Sequence, residues 1–284
     1  MAEALLTVVV CTHSRPTELE RCLAGLAALE DPVEVIVVDS ASDPPCEGLT
    51  ARYGFRYLYE PVAGLSRARN LGLDAASCSL VAFVDDDAVV APSWARRLAA
   101  AFADHDVGAA GGTCRAAFSA SRPDWLSDRL LQYAGVTRYE SDACDAVSSA
   151  HYPFGANLCV RRSALVAIGG FSEALGRVGK SLLSNEEAAA LDALRAEGWR
   201  VRWQPDAVVD HTVAPERCTG RYYWRRLWWQ GVSRARASRS PGLIVRLVGA
   251  VPLRLAMWVV TRDRVHLYRT AETAGYLREI FRAA

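Results

Sequence analysis

Three consecutive carboxylates, Asp85, Asp86 and Asp87, end an apolar run in the segment VAFVDDDAVV at residues 81–90. Adjacent negative charges repel one another, so a cluster of this kind needs a compensating positive charge. Clustered oxygen ligands suit a hard divalent cation, Mg²⁺ or Mn²⁺, and the usual partner of such a cation is a phosphate. Asp85 and Asp87 are two residues apart on an extended chain, so both can face one ligand while Asp86 points elsewhere. The alternative is a solvated acidic turn.

The elements that must position these acids alternate between strand and helix over residues 1–110. Continuous β-branched and apolar runs predict buried parallel strands, and leucines at helical spacing predict the helices between them. In such a doubly wound α/β sheet, ligands bind outside the carboxyl ends of the strands, which is where the three aspartates fall. The predicted strands are 5–11, 33–39 and 79–85, and the predicted helices are 16–30, 65–77 and 92–105.

The rest of the chain is irregular at first and then helical. Glycine, proline and serine are scattered through residues 111–183. Beyond them the sequence predicts a helix over 184–198 that ends at a glycine, a strand over 199–203, and a helix over 221–237 followed by a helical tail.

Composition narrows the class of protein. The 284 residues allow one large domain or two small ones, and the net charge of +1 gives no general attraction to nucleic acid. The charge is unevenly distributed, because fourteen arginines and only three acids lie between Arg217 and the end. The tail is therefore strongly basic, but no RNA-binding signature accompanies it, and we expect no nucleic-acid partner.

The eight cysteines contain no CxxC pair and several sit in apolar runs, which is typical of reduced thiols. The N-terminus has no basic region before its first apolar stretch, so the sequence predicts no signal peptide and a cytoplasmic protein. No GxGxxG motif follows the first predicted strand, which argues against a dinucleotide-binding dehydrogenase.

The apolar stretch at residues 242–260 is the one segment that suggests a membrane. Arg246, Pro252 and Arg254 interrupt it, so it is a poor transmembrane span. Together with the basic residues around it, the stretch fits peripheral contact with an anionic membrane surface. The alternative is that this tail packs on the rest of the protein.

Several motifs occur in a characteristic order between residues 5 and 231. They are VVVCTHSRP, VIVVDSASD, GLSRARNLGL, FVDDDA, GANLCVRRSALVAIGGF, NEEAAALDALRAEGWRVRWQPDAVVDH and YYWRRLWWQG. As an ordered set they resemble the inverting glycosyltransferases of family 2, which have the GT-A fold.

The resemblance implies an architecture and a reaction. The fold would be the GT-A nucleotide-diphospho-sugar transferase fold, a mostly parallel mixed sheet flanked by helices. Residues 1–215 would form the catalytic domain, with a nucleotide-sugar-binding half at 1–110 and an acceptor-binding half at 111–215, and residues 216–284 a helical, basic and aromatic extension. The reaction would be metal-dependent, inverting transfer from a nucleoside-diphosphate sugar to the hydroxyl of a saccharide, a lipid-linked sugar or a small molecule.

The metal site that the resemblance implies includes the acid cluster. Asp85 and Asp87 match the two carboxylates of the DxD motif, with Asp87 binding the Mn²⁺ or Mg²⁺ and Asp85 contacting the donor ribose or sharing the metal. The resemblance also implies that Asp86 is one of the residues that bind the nucleotide sugar. His211, in VVDH, matches a position that completes the metal site in several GT-A enzymes, although a lone histidine after a strand is more often structural.

The nucleotide pocket would be lined by residues near the first three strands. Thr12 and Arg15 match pocket positions after the first strand, and Asp39 matches the acid that reads the nucleoside base. Arg69 and Asn70 match the ARN segment near the same pocket. Two structural alternatives stay open: Asp39 caps the following loop, and the arginines of SRARN are solvated helix residues.

The general base would open the helix at 184–198. Such a carboxylate accepts the proton of the acceptor hydroxyl as its oxygen attacks the anomeric carbon. In the family the base is the second member of a Glu-Asp pair, which Glu186 and Glu187 replace here, so Glu187 is the first choice and Glu186 the second. Ser184 and Glu187 also have the spacing of a capping box, and that role would leave Glu186 to face the acceptor.

Aromatic residues mark the start of the extension. Trp224 and Trp228, in RYYWRRLWWQG, lie on one helical face with Leu227 and Gly231. That face either packs against the protein or contacts the acceptor, since aromatic rings stack on sugars. The QxxRW order of processive relatives is missing, so we infer no processive synthesis.

Two other functions fit parts of the sequence. A sugar-1-phosphate nucleotidyltransferase also has metal-binding acids, but its glycine-rich basic loop is not found in CTHSRPTE. A catalytically weak nucleotide-sugar-binding protein has the departure from Glu-Asp to Glu-Glu as its only support.

Overall fold

The structure is a computed structural model and describes residues 3–137, 142, 144–145, 152–179, 181–238 and 240–282. Two units divide the chain. The first comprises Met1–Arg115, Tyr139–Glu173 and Glu186–Thr212, and the second comprises Ala116–Arg138, Ala174–Asn185 and Val213–Ala284. The second unit thus includes two segments that precede the predicted domain boundary at 215, and that boundary remains a prediction.

The first unit begins with the alternation of strands and helices that the apolar runs predict. The strands are β1 (Thr7–Thr12), β2 (Glu34–Ser40), β3 (Arg56–Glu60) and β4 (Leu80–Asp85), and the helices are α1 (Pro16–Ala27), α2 (Glu47–Arg52) and α3 (Leu65–Ala75). Strand β3 and helix α2 were not predicted. The sequence RYLYE of β3 carries too little apolar signal, because the strand is only partly buried.

Further along the chain the elements are more varied. The strands are β5 (Ala88–Val90), β6 (Val107–Phe118), β7 (Cys144–Asp145), β8 (Asn157–Arg161) and β9 (Arg200–Val213). The helices before the tail are α4 (Trp94–Ala99), α5 (Asp128–Leu131), α6 (Arg162–Ala167) and α7 (Glu186–Ala196). The strand predicted at 199–203 is therefore the start of a much longer strand, and the helix predicted at 184–198 begins two residues later.

The sheet is mixed, as the family resemblance implies. Its strands lie in the order β3-β2-β1-β4-β8-β6-β9-β5, with β7 paired to β9. Strand β1 pairs in parallel with β2 and β4, and β2 pairs in parallel with β3. Strand β8 is antiparallel to both β4 and β6, and β9 is antiparallel to β5. The sheet thus has a parallel half that contains the carboxyl ends of β1, β2 and β4.

The central strands are buried on both faces, which explains their continuous apolar sequences. In β1, Val8 and Val10 pack into a cluster with Leu19 and Leu23 of α1. Between them, Val9 faces the other cluster, which contains Leu73 of α3. Because side chains alternate along a strand, helices on both sides of the sheet favour apolar residues at the central positions of β1, whereas its ends are Thr7 and Thr12.

The second unit contains the C-terminal helices α8 (Gly220–Ala237), α9 (Pro241–Gly249), α10 (Val251–Thr261) and α11 (Arg264–Arg282). Helices α8 and α11 approach each other very closely at two glycines. A Cβ atom on Gly231 would lie 1.9 Å from the carbonyl oxygen of Glu272, and one on Gly275 would lie 2.1 Å from that of Trp228. Only residues without a side chain allow this contact.

The close approach of α8 and α11 can be tested with one methyl group. We expect Gly231→Ala to lower the free energy of unfolding by about 1–3 kcal/mol or more, because backbone atoms of α11 must move. Chemical denaturation followed by circular dichroism measures this. The control is Gly249→Ala at the end of α9, where a Cβ meets no atom within 4 Å; it should be neutral or stabilise by up to ~1 kcal/mol. Equal stability of the Gly231→Ala variant and the parent would contradict the close packing.

Candidate active site

The acid cluster sits at the end of the parallel half of the sheet. Asp85 is the last residue of β4, and Asp86 and Asp87 form the turn that leads into β5. Strand β5 pairs with β9 so that Ala88 lies opposite His211, and the backbone N–H of Thr212 donates to the carbonyl oxygen of Asp87 at 2.8 Å. This strand pairing brings a histidine from the far end of the sequence next to the aspartates.

Asp85, Asp87 and His211 direct one ligand atom each toward a common point. Nε2 of His211 lies 3.2 Å from Oδ1 of Asp87 and 4.0 Å from Oδ2 of Asp85. The three ligand atoms are all within 4.8 Å of one another. Asp87 and His211 are buried, whereas Asp85 is partly exposed.

Two arginines hold the other oxygens of these carboxylates. Arg69 donates from Nη2 to Oδ1 of Asp85 at 3.2 Å, and Arg15 donates from Nη2 to Oδ2 of Asp87 at 2.9 Å. In each aspartate, the oxygen that faces His211 is therefore not the one that the arginine holds. The guanidinium groups reduce the repulsion between the acids and fix the orientation of the carboxylates.

Asp86 has a different set of contacts. Its Oδ2 accepts a hydrogen bond from the hydroxyl of Thr12 at 2.8 Å, and its Oδ1 accepts one from Nη1 of Arg15 at 2.5 Å. Burial raises the pKa of Asp86 to about 7, against the lowering effect of Arg15, and the charge of Asp87 adds to the rise. Thr12 and Arg15 thus organise the acid cluster, and their predicted contact with a nucleotide remains a prediction.

Asp39, at the end of β2, is fully buried and engaged with the loop that follows it. Its Oδ1 accepts from the N–H of Ser42 at 2.9 Å, and its Oδ2 accepts from the N–H of Cys46 at 2.8 Å and from the hydroxyl of Tyr57 at 3.0 Å. Burial favours a higher pKa for Asp39, but these hydrogen bonds hold it below its ordinary value. The contacts are those of the loop-capping alternative, and the reading of a nucleoside base is still only predicted.

The loops after β1 and β2 both contain a residue in the left-handed region. Ser14 has a φ of 52° and Ala41 a φ of 58°, which is unfavourable for residues with a Cβ. The N–H of Ser14 donates to the hydroxyl of Ser42 at 2.7 Å and so ties the two loops together. Strained backbone of this kind is often found at functional sites, where the surrounding contacts impose it.

Arg69 is a buried residue, so the solvated alternative is wrong for it. The side chain is 4% exposed and donates to Oε1 of Glu186 at 2.8 Å as well as to Asp85. Its guanidinium carbon lies 5.6 Å from the centre of the Phe171 ring. Burial alone would lower the pKa of Arg69, but Glu186, Asp85 and Glu187 raise it. The solvated alternative does fit Arg67, whose side chain is 41% exposed and pairs with Glu173.

Asn70 binds the backbone of a distant segment. Its Nδ2 donates to the carbonyl oxygen of Phe171 at 2.9 Å, and its Oδ1 accepts from the N–H of the same residue at 2.8 Å. The described contacts of Asn70 are therefore structural, and its place in a nucleotide pocket is still a prediction.

The capping-box alternative is not formed, because α7 begins at Glu186 and Ser184 therefore lies two residues before the first helical residue. The hydroxyl of Ser184 instead lies 3.2 Å from Oε1 of Gln230 and 3.3 Å from Nη1 of Arg226. Glu187 is thus not committed to the backbone of Ser184, which removes the main structural alternative for this side chain.

The two glutamates at the start of α7 have different surroundings. Glu186 is buried and paired with Arg69. Both glutamates have a buried Oε2 atom, and that of Glu187 has no hydrogen-bond partner among the residues that the structure describes; the two side chains differ in the pairing of Glu186 with Arg69. An unpartnered carboxylate oxygen away from water is available to accept a proton.

The aromatic helix α8 presents a different buried face from the predicted one. Trp224 is 45% exposed, with its ring centre 6.4 Å from that of Tyr268, and Trp228 is partly buried. The buried residues of α8 are Tyr223, Leu227, Gly231, Val232, Ser233 and Ala235. Of the predicted face, Leu227 and Gly231 are thus buried while Trp224 is exposed, and the acceptor contacts of Trp224 and Trp228 remain predictions.

Two residues of the site carried no assigned role in the sequence. A Cβ atom on Gly155 would lie 2.4 Å from Nη2 of Arg69, so the guanidinium occupies the space that a side chain would fill. Phe171 covers the same guanidinium from another side. Both lie in the motif GANLCVRRSALVAIGGF, but nothing local to that motif indicates an arginine that lies some 85–100 residues earlier.

Known proteins are similar to this chain in sequence. The chain is 24% identical over 239 residues to a glucosyl-dolichyl phosphate glucuronosyltransferase of Haloferax volcanii, covering 81% of this chain and 76% of the relative. It is 27% identical over 251 residues to the succinoglycan biosynthesis protein ExoM of Rhizobium meliloti, covering 84% and 77%.

Among solved structures, that of S. aureus TarS 1–349 in complex with UDP matches with a TM-score of 0.56 at 16% identity, covering 95% of this chain and 88% of that one. This likeness confirms the fold. Residues 7–169 match the model of the family described as Glycosyl transferase family 2. The chain therefore belongs to glycosyl transferase family 2 and is a glycosyltransferase.

Proposed function

We propose that the enzyme transfers a sugar from a nucleoside-diphosphate sugar to an acceptor hydroxyl, with inversion at the anomeric carbon and with the help of a divalent cation. The main observation in support is that Asp85, Asp87 and His211 each direct one ligand atom to a common point. The likeness to a TarS structure that contains UDP supports a nucleotide-sugar donor. Membership of family 2 argues against the nucleotidyltransferase alternative.

The residues of the cluster fit a divalent cation. Two carboxylate oxygens and one imidazole nitrogen form a mixed oxygen and nitrogen set, which suits Mn²⁺ better than Mg²⁺ because Mg²⁺ prefers oxygen. Arg15 and Arg69 hold the other oxygens of Asp87 and Asp85, so these two side chains are fixed before any cation binds. When bound, the cation would stabilise negative charge on the departing nucleoside diphosphate.

Glu187 is the base in this proposal. As the acceptor oxygen forms its bond to the anomeric carbon, its proton passes to a carboxylate oxygen of Glu187. The bond from the anomeric carbon to the diphosphate oxygen breaks, and both electrons leave with the diphosphate. The ion pair of Glu186 with Arg69 supports the choice of Glu187, since a buried Oε2 atom is common to both glutamates. Because Glu187 acts as a base and does not itself attack the anomeric carbon, the acceptor displaces the diphosphate in one step and the configuration at that carbon is inverted.

The identity of the acceptor is the open part of the proposal. Saccharides, lipid-linked sugars and small molecules all offer the required hydroxyl, and the Haloferax relative is named for a dolichyl phosphate sugar. Trp224 and Trp228 are our candidates for acceptor contacts. The eight cysteines are all thiols in the structure, which supports the cytoplasm as the compartment.

The metal site is tested by Asp87→Asn. We expect Mn²⁺ affinity, measured by calorimetry without donor, to fall at least tenfold, and transfer to fall with it, because a charged ligand is lost. The control is Asp210→Asn, next to His211 in β9, whose carboxylate pairs with Arg115 at 2.9 Å on the surface; it should behave as the parent. Undiminished Mn²⁺ binding by Asp87→Asn, or full parental activity in EDTA, would contradict the site.

The orienting role of Arg69 is tested by Arg69→Lys. A lysine is one point charge and cannot bridge Asp85 and Glu186 as the planar guanidinium does. Loss of an outer partner of a metal ligand typically costs ~10–100-fold in metal affinity, and we expect a loss of that size in the Mn²⁺ titration. Arg67→Lys, two residues away on the exposed face of α3, is the matched control. If both variants bind Mn²⁺ as the parent does, Arg69 does not orient the site.

The choice of base is tested by Glu187→Gln, which keeps the shape of the side chain and removes the proton acceptor. Transfer should fall ~10²–10⁴-fold while donor binding and melting temperature stay near those of the parent. Glu186→Gln should instead lower the free energy of unfolding by about 1.5–3 kcal/mol, because it weakens a buried hydrogen bond between charged groups, with a smaller effect on turnover. The reverse pattern would make Glu186 the base.

A further inference from the structure

Helices α9 and α10 expose an unusually apolar surface. The side chains of Val245, Leu253 and Val260 are between 66% and 79% exposed, and α10 has no buried residue at all. Val248, Leu255, Met257 and Val259 are exposed as well, and the exposed apolar side chains of the two helices are together called here the α9–α10 face. Contiguous exposed apolar residues on this scale are typical of surfaces that contact a partner or a membrane.

The segment is apolar enough for a membrane and is divided into two helices. An 18-residue window within Gly242–Thr261 could cross a bilayer by length and composition alone, and 6% of that window is buried. In the structure, however, α9 ends at Gly249 and α10 starts at Val251, with Pro252 in its first turn. Helices of 9 and 11 residues are about 14 and 17 Å long, well short of the ~30 Å hydrocarbon core. The two helices are separated only by Ala250, whose backbone is itself helical, so their lengths alone do not exclude a span; instead, α10 is held along α11 by Arg254.

Arg254, which interrupts the apolar stretch in the sequence, does not interrupt the surface. Its Nη1 donates to the carbonyl oxygen of Arg269 at 3.0 Å and to the hydroxyl of Thr273 at 2.8 Å, both on α11. Burial lowers the pKa of Arg254 from its ordinary value. Because this charge is held against α11, the outward side of α10 carries Leu253, Met257 and Val260 without an intervening charge.

The charges within the α9–α10 segment are all positive, and the next acid along the chain is Asp263. No aspartate or glutamate occurs between residues 238 and 262. Arg246 on α9 and Arg262 at the end of α10 are both exposed. Exposed apolar side chains combined with arginines and no acids fit an anionic lipid surface, where the apolar groups reach the acyl chains and the guanidinium groups reach the phosphates. A second copy of this chain would bring the same positive charges together.

We propose that the α9–α10 face binds the surface of an anionic lipid bilayer, with α9 and α10 lying in the plane of the interface. Leu253, Met257 and Val260 enter the acyl region, and Arg246 and Arg262 remain at the headgroups. This binding needs neither donor nor metal. A failure of the membrane proposal is therefore separate from a failure of the proposed reaction.

The test uses the full chain and vesicles of equimolar phosphatidylcholine and phosphatidylglycerol, with sedimentation to measure bound protein. Leu253→Glu should lower the partition coefficient at least ~10-fold, because it replaces an inserted apolar side chain with a charge. Val166→Glu is the matched control: it adds the same charge at an exposed valine of α6 and should leave binding unchanged. Arg246→Gln should weaken binding about fivefold, and only to vesicles that contain phosphatidylglycerol.

The position of the helices is tested by washing the vesicles with alkaline carbonate, which should release the parent protein because α10 lies along α11 in the plane of the interface and does not cross the bilayer. Melting temperatures within a degree or so of the parent would establish that the variants are folded. Four results would each overturn the proposal: no sedimentation of the parent, equal loss for Val166→Glu, retention after the carbonate wash, or a lipid-free dimer that Leu253→Glu dissociates.

Discussion

Electrostatic repulsion among Asp85, Asp86 and Asp87 is the constraint on which the rest of the site depends. Three carboxylates at the end of one buried strand cannot all stay charged without compensation, because the protein interior screens charge poorly. The fold brings Arg15 from the end of β1 and Arg69 from α3 to these acids. The two guanidinium groups bind some of the carboxylate oxygens and leave one oxygen each of Asp85 and Asp87 facing His211. The same contacts that offset the repulsion between the carboxylates therefore also orient Asp85 and Asp87 for a cation.

Arg69 connects this cluster with the start of α7. It is buried, it bridges Asp85 and Glu186, and it needs both the bare backbone of Gly155 and the ring of Phe171 around it. This pairing distinguishes the two glutamates, because Glu186 compensates the charge of Arg69, whereas no ion pair of Glu187 is found among the described residues. In the proposed reaction, one arginine therefore connects the metal side and the base side of the site.

The helices of the second unit are held together by close backbone contact and by ion pairs. Helices α8 and α11 use two glycines to bring their backbones together, and arginines of α8 pair with Glu272 and Glu279 of α11. Helices α9 and α10 contribute little to this core, since Leu247 is their one buried hydrophobic residue among those described. Their sequence is apolar for a reason other than packing, and a lipid surface accounts for both the apolar face and the absence of acids.

The sequence alone determined β1, β2, β4, α1 and α3, and with them the position of Asp85–Asp87 at a strand end, because apolar periodicity is a local property. The ordered motifs also indicated the family and every candidate residue. Only the tertiary structure decided that Arg69 is buried, that Ser184 does not cap α7, and that Arg254 is held against α11 rather than in the apolar face. Each of these depends on partners between 15 and 117 residues away. Two neighbours such as Glu186 and Glu187 are alike in sequence, and only long-range packing makes their surroundings different.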